Sequence, residues 1–357
     1  MKERTKNRAR PAHAVRVVAL GGGTGLSTVL RGLKQHVAQT TRDGAPKDRK
    51  QRERCPISDL AAVVAVSDDG GSSGRLRREY RVLPPGDIRN CMVALSSDEP
   101  LLAHLFQYRF PTGRGLAGHS FGNLFLTALT NVTGDFLRAV EVSSQVLAIR
   151  GRIFPATEQN VTLEAELEDG SIVAGETKIS RSRKRISRVR LLPRRVRPSP
   201  QALDALRRAD LILAGPGSLY TSIIPNLLVE GVVDAIARSS ATRVYIANLM
   251  TQPGETSHYS VSDHVHAIYE HAGRPLFDYV IVNSAAISPR LLRRYKAEGA
   301  EPVAPSLPEL AQMGLKCIEA DVLQQDEVVR HDQTALAELL LERFVKSGPS
   351  LQTVFGR

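Results

Sequence analysis

Two glycine-rich segments in this chain have the composition to cradle a phosphate. Gly21-Gly22-Gly23-Thr24-Gly25 follows the apolar run Val15–Leu20, and Gly215-Pro216-Gly217-Ser218-Leu219-Tyr220-Thr221-Ser222 follows Leu211–Ala214. Glycines between a buried strand and a helix let a phosphate approach backbone amides at the positive helix end. The first segment offers Gly22, Gly23, Thr24 and Gly25; the second offers amides near Gly217 and Ser218 and the hydroxyls of Ser218, Thr221 and Ser222. Neither is a complete dinucleotide fingerprint or Walker loop: Thr28 stands where the third glycine would be, and no Gly-Lys-Ser/Thr is present. A ligand-free tight turn explains Gly21 and Gly25 well, but three consecutive glycines poorly.

Polar clusters recur at other run ends. Asp68 and Asp69 close the run Ala61–Val66, and Ser72, Ser73 and Arg75 follow in a loop suited to an anion. One carboxylate could hold Mg²⁺ or a sugar hydroxyl while its neighbour braces the loop, and an acidic turn explains the pair as well. Asp87, Arg89 and Asn90 follow the turn Pro84-Pro85-Gly86, with Asp87 placed to cap a helix beginning near Ile88. His119 and Asn123 fall four apart at the start of an apolar helical stretch. Asn226 follows Pro225 as a polar helix start, and Asn248 ends the run Val244–Ala247. No HExxH and no catalytic cysteine context occurs, which sets aside a zinc site.

The elements that position these residues follow from the runs themselves. Five short Val/Ile-rich runs, the fifth being Tyr279–Val282 ending at Asn283, each stop at a polar or glycine-rich loop. That is the pattern of parallel strands covered on both faces, with ligands held outside their carboxyl ends. The fold class expected is α/β: a Rossmann-like three-layer sandwich with a mostly parallel sheet. Alternation at Val161, Leu163, Ala165 and Leu167, the Asp169-Gly170 turn and Ile172-Val173 predict a β-hairpin inside a β-rich insertion spanning about 152–197. The expected organisation is a basic, disordered tail at 1–14, a single domain at 15–333, an exposed insertion at 40–56, and a C-terminal helix and tail at 334–357.

Charge and cysteines narrow the class. The net charge of +11 is concentrated in residues 1–16, 42–54 and 178–197, which together carry +18 and leave the remainder at −7. An acidic body with appended basic runs, and no aromatic platform, argues against a nucleic-acid binder. No run approaches the roughly 20 apolar residues that span a bilayer, and three scattered cysteines suit a reducing, cytoplasmic location.

The strings GGGTGLSTVLRGLK, VVAVSDDGGSSGRLRREY, LPPGDIRNCMVAL, GHSFGNLFLTAL, AGPGSLYTSIIPNLLVEG and NLMTQPGET, in this order, resemble the gluconeogenesis-factor family. That family is the bacterial branch of the 2-phospho-L-lactate transferase-like superfamily. The resemblance implies binding of a nucleotide-diphosphate sugar such as UDP-N-acetylglucosamine, and control of cell shape and wall precursors through a protein partner during gluconeogenic growth. By position it implies that Gly22, Gly23, Thr24 and Gly25, with Gly215, Gly217, Ser218, Tyr220 and Thr221, hold the nucleotide. Asp68, Asp69, Asp87, Arg89, His119 and Asn123 would line the rest. The alternative it carries is Mg²⁺-dependent transfer of a phosphate-linked group, with Asp68 or Asp69 on the metal. Assembly into a homo-oligomer stays open.

Overall fold

The computed structural model describes residues 14–38, 55–97 and 100–346. The expected basic tail, nearly all of the 40–56 insertion and the final residues lie outside them. Strand β1 (Val15–Gly21) leads into α1 (Gly23–Leu33), and β2 (Ile57–Val64) into α2 (Gly71–Tyr80), α3 (Gly86–Leu95), α4 (Pro100–Gln107), α5 (Phe121–Thr133) and α6 (Phe136–Val146). After β3 (Arg152–Pro155) come β4 (Thr162–Leu167), β5 (Ile172–Ala174), α7 (Glu176–Arg181), β6 (Ile186–Leu192) and α8 (Pro200–Arg208). Strand β7 (Leu211–Ala214) runs into a π-helical turn (Leu219–Ile223), α9 (Ile224–Leu227) and α10 (Val232–Arg238). Next come β8 (Thr242–Ile246), α11 (Val261–Ala272), β9 (Tyr279–Asn283), α12 (Pro289–Ala297), α13 (Leu307–Gln312), β10 (Lys316–Ala320), the hairpin β11 (Leu323–Gln325) and β12 (Val329–His331), and α14 (Gln333–Leu340), which continues into a π-helical turn (Leu341–Lys346).

One seven-stranded sheet in the order β10-β9-β8-β7-β1-β2-β3 carries the core. Every pairing in it is parallel. All five apolar runs lie in it, and residues such as Ala19, Leu20, Ala62, Val63, Leu213, Val244 and Ile246 are fully buried, as strands covered on both faces require. From β1 the chain builds outward through β2 to β3, then returns to place β7 on the other flank of β1. The order therefore reverses between β1 and β7. This is the topological switch point, where such sheets leave a crevice at the strands' carboxyl ends, and both glycine loops leave from it.

The insertion differs from expectation at one end. Strand β3 pairs in parallel with β2 and is the edge of the main sheet, so the antiparallel part begins only at β4. There β4 is central between β5 and β6, and the Leu163, Ala165 and Leu167 side turns inward. The basic residues of this ribbon are partly neutralised: Arg190 pairs with Glu166, Arg194 with Glu164 and Lys184 with Asp169. Between its strands lies α7, a short helix that alternation does not announce. Among the described residues no single helix is long and apolar enough to cross a membrane.

Candidate functional site

The two glycine loops pack directly on each other. A Cβ on Gly25 would sit 2.3 Å from the Pro216 carbonyl oxygen, so only glycine permits this approach. Asn226, fully buried, ties the pair from beneath: its amide nitrogen donates to the Gly21 carbonyl (3.0 Å) and to the Ser222 carbonyl (2.7 Å). It is thus a buckle between the loops, beyond the helix cap its position suggests. Asn248 pins the second loop alone, from the β8 end. Its carbonyl accepts from the Gly217 amide (3.2 Å) and its NH₂ donates to the Gly217 carbonyl (2.9 Å). The Gly217 amide is therefore already committed, whereas helix geometry leaves the first-turn amides of α1 without acceptors inside their own helix.

Buried acids stand beside them. The Asp87 carboxylate accepts from the Gly23 amide, instead of capping its own helix, where the cap residue is Pro85. Burial, and next the Asp68 charge, push Asp87 up from the ordinary carboxylate range to about 6. Asp68 itself holds the Gly70 amide with Oδ1 (2.8 Å). Asp69 turns away, accepting from the amide (2.9 Å) and hydroxyl (2.8 Å) of Thr177 and so anchoring α7 to the sheet. That anchor delivers Glu176 to the site, where burial and then Asp68, Asp87, Glu255 and Asp69 hold its carboxyl well above the usual range. Burial likewise raises Glu255.

Asp87, Glu176 and Glu255 line a cleft of about 1100 Å³ over the carboxyl ends of β1, β7 and β8. Of the residues singled out in the sequence, Gly22, Gly23, Thr24, Gly25, Asp87, Arg89, Asn90, Gly217, Ser218, Thr221, Ser222 and Asn248 line it. Arg89 is buried beneath, donating to Ser120 (2.6 Å) and Asn90 (2.6 Å). The others stand behind the wall. Ser72, Ser73 and Arg75 are not in a loop but in α2, whose buried start meets α5: Ser72 hydrogen-bonds His119 Nδ1 (3.0 Å), and the Asn123 amide donates to Ser73 (3.4 Å). Arg75 donates to the Ala117 carbonyl (2.8 Å). Tyr220 pairs its hydroxyl with Tyr259 (2.8 Å) in the core, and Gly215, at φ +78°, is packed against the Ile246 carbonyl.

Sequence reasoning missed Glu176, Gln252 and Glu255, and it missed the C-terminal wall entirely. Gln324, Val329, Arg330, His331 and Gln333 line the cleft from β11, β12 and the start of α14. This hairpin is strapped to α12 by Arg290 to the Asp326 carbonyl (2.7 Å), Arg294 to the Glu327 carbonyl (2.6 Å) and the Val329 amide to the Tyr295 hydroxyl (3.0 Å). Helix α14 then packs on α1 so closely that a Cβ on Gly32 would fall 2.2 Å from the Gln333 carbonyl. Nothing local signals such a wall; only the NLMTQPGET string hinted at Gln252 and Glu255.

The elevated Asp87 carboxyl has a measurable consequence. The folded state holds its proton between about pH 4 and 6, where the unfolded chain has released it, so stability falls as pH rises through that window. Asp87→Asn is expected to raise the melting temperature at pH 7.5 in chelator, by roughly 2–4 kcal/mol of stability. The advantage should vanish near pH 4. Parallel melting curves for parent and variant from pH 4 to 8 would show that Asp87 is not held protonated by its surroundings.

Comparison with known proteins agrees with this architecture. The family model for 2-phospho-L-lactate transferase CofD matches residues 17–323. The gluconeogenesis factor of Halalkalibacterium halodurans is 46% identical over 337 residues, covering 94% of this chain and 98% of that protein. The gluconeogenesis factor of Bacillus subtilis is 47% identical over 328 residues, covering 92% and 97%. A crystal structure of a UPF0052 family member from Bacillus halodurans superposes with a TM-score of 0.84 at 45% identity, over 92% of this chain and 99% of that one. With two glycine loops at the switch point of a parallel sheet, and these relatives along nearly its whole length, the chain belongs to the CofD family and to its gluconeogenesis-factor group.

Proposed function

We propose that the cleft binds a nucleotide-diphosphate-linked ligand, with the diphosphate at the start of α1 between the two glycine loops. The observation that carries this is the contact of Gly25 with Pro216, which brings the first-turn amides of α1 and the hydroxyls of Ser218, Thr221 and Ser222 to one crevice. Anions are favoured at such a helix start. The family model supports a transferase reading: movement of a phosphate-linked group from the diphosphate donor. Among the described residues no three metal-ligating side chains converge. Mg²⁺ commonly takes only one or two carboxylates with substrate phosphates completing its shell, and Asp87 on the cleft wall, with Asp68 close behind it, fits that smaller demand. Asp69, committed to Thr177, does not. A bound Mg²⁺ would offset charge on the leaving phosphate; Arg89 and the α1 amides supply the protein's own share.

A second reading, that the protein senses a UDP-sugar and regulates wall-precursor supply through a protein partner, is favoured by the gluconeogenesis-factor relatives. One experiment separates them. Purified full chain is titrated calorimetrically with UDP, UDP-N-acetylglucosamine and GDP, with and without Mg²⁺, and the ligand is recovered after long incubation with small acceptors. Micromolar binding of a uridine ligand, about −8 kcal/mol, is expected. New phosphate-linked product that disappears in Asp68→Asn supports transfer; ligand recovered intact supports sensing. No heat with any nucleotide would remove both.

A further inference from the structure

Away from the cleft floor, helices α4 and α5 form a side-by-side pair whose outer face is apolar and open to water. Phe106 of α4 packs edge-on against Phe121 (6.0 Å between ring centres) and Phe125 (5.1 Å) of α5. An antiparallel bridge between Arg109 and Ser120 turns the chain back from one helix into the other. Beyond that seam, Leu101 (80% exposed) and Leu105 (39%) stand one turn apart on α4, and Val132 (82%) stands near the end of α5. Tyr108 (48%) and Leu116 (44%) lie on the connecting loop. Among the described residues these are five of the eight large apolar side chains left exposed, so exposure is concentrated on this one pair. The eight residues of α4 and the thirteen of α5 also contain no lysine, arginine, aspartate or glutamate, in a chain that is 24% charged. An extended apolar surface marks an interaction site, and depletion of charge is the signature of an interface core.

We infer that this face is where two copies of the chain meet about a two-fold axis, with their α5 helices antiparallel. A face without charge gives a charged partner nothing to recognise, but it complements itself, and a two-fold interface requires contact of like with like. Interfaces between identical chains are also more apolar than others. The rim selects the orientation, because its sign differs at the two ends of α5. Exposed Arg109 and Arg114 stand where the helix begins. Exposed Asp135 stands where it ends, capping α6, and nearby Arg138 is answered by Glu141 (2.9 Å). In an antiparallel pair the basic end of one copy lies against the acidic end of the other, which fixes register. A lipid surface, by contrast, calls for lysines and arginines along the whole polar edge. The extent suits a weak dimer. With α5 about 20 Å long and each helix about 10 Å wide, the pair presents on the order of 400 Å² in projection. Side-chain relief and the connecting loop extend this toward the roughly 600 Å² per copy of the smallest specific interfaces.

The test is sedimentation velocity on the full chain from about 1 to 100 µM, the range in which a micromolar dimer forms. The mass is expected to rise from one chain of 39.0 kDa toward twice that value. Leu101→Glu and Val132→Glu fall on side chains so exposed that the melting temperature should stay at the parent's. Each should weaken the dimer at least about ten-fold, and together they should give monomer throughout. Arg114→Asp and Asp135→Arg test the orientation: each alone should weaken association about three-fold, and the two combined should restore it. A parent that stays monomeric at about 100 µM overturns the inference. So does a monomeric parent that pellets with phosphatidylglycerol vesicles, which assigns the face to a membrane. Glutamate variants that dimerise as the parent does overturn it by placing the contact elsewhere. Rim reversals whose effects add instead of cancelling overturn the antiparallel two-fold.

Discussion

Replacing Gly25 with valine is expected to part the two glycine loops and abolish nucleotide binding. The added Cβ would lie 2.3 Å from the Pro216 carbonyl oxygen and 2.7 Å from its carbon. Both are backbone atoms anchored at the end of β7, so neither can yield as a flexible side chain could. Overpacking of this kind costs about 1–3 kcal/mol or more; Gly25→Ala should fall within that range and Gly25→Val beyond it. Gly217 provides the control. Its φ is not positive and its nearest neighbour to an added Cβ is the Gly22 carbonyl at 3.5 Å, so Gly217→Ala should unfold within about 1 kcal/mol of the parent. Urea midpoints and UDP titration measure both. If Gly25→Ala unfolds with the parent's midpoint, close loop packing is not what this glycine serves.

Asn226→Asp should be as damaging. The asparagine is fully buried and gives its two N–H groups to two carbonyls on different loops. Aspartate there aims a carboxylate at both oxygens in a dry site. Leaving a buried charge uncompensated costs about 3–5 kcal/mol. To avoid it the carboxyl would stay protonated in the fold, so its pKa rises above the unfolded value and stability declines as pH climbs through that interval. The deficit against the parent should therefore be smaller at pH 5 than at pH 8, because a protonated carboxyl restores one of the two donations. Asn226→Leu, which loses the donors but adds no charge, should show a deficit that does not vary with pH. Identical pH profiles for the two variants would mean that the buckle is not electrostatic in the way its geometry requires.

Much of the framework was readable from residue order. The runs Val15–Leu20 and Leu211–Ala214 announced buried strands because parallel strands need apolar side chains on both faces, and their glycine loops announced the crevice. The alternation of Leu163, Ala165 and Leu167 announced the ribbon. Other parts were hidden for identifiable reasons. Strand β3 is short, and its arginine at position 152 is an edge residue paired with Asp59, so its membership of the sheet rests on β2 and not on a local pattern. Helix α2 has a polar, serine- and arginine-rich sequence that reads as a loop; it is helical because Ser72 and Ser73 are buried against His119 and Asn123. Helix α7 exists because Asp69 holds Thr177 from more than a hundred residues away.

The same division separates site residues from their roles. By itself the sequence determined the sheet, the two phosphate-suited loops, the family and the presence of Asp68, Asp69, Asp87 and Arg89 near strand ends, since each depends on neighbours a few residues apart. Tertiary structure alone decided which carboxylate faces the cleft. Asp69 is spent on α7, Asp87 crosses to the Gly23 amide, and Glu176 and Glu255 arrive from the ribbon and from the loop after β8. It also decided that Arg330, His331 and Gln333 wall the cleft. A carboxyl's charge state is set by burial and by acids brought from distant segments, which no local spacing encodes. The closing wall depends on α14 seating against Gly32 of α1, a contact between the two ends of the chain.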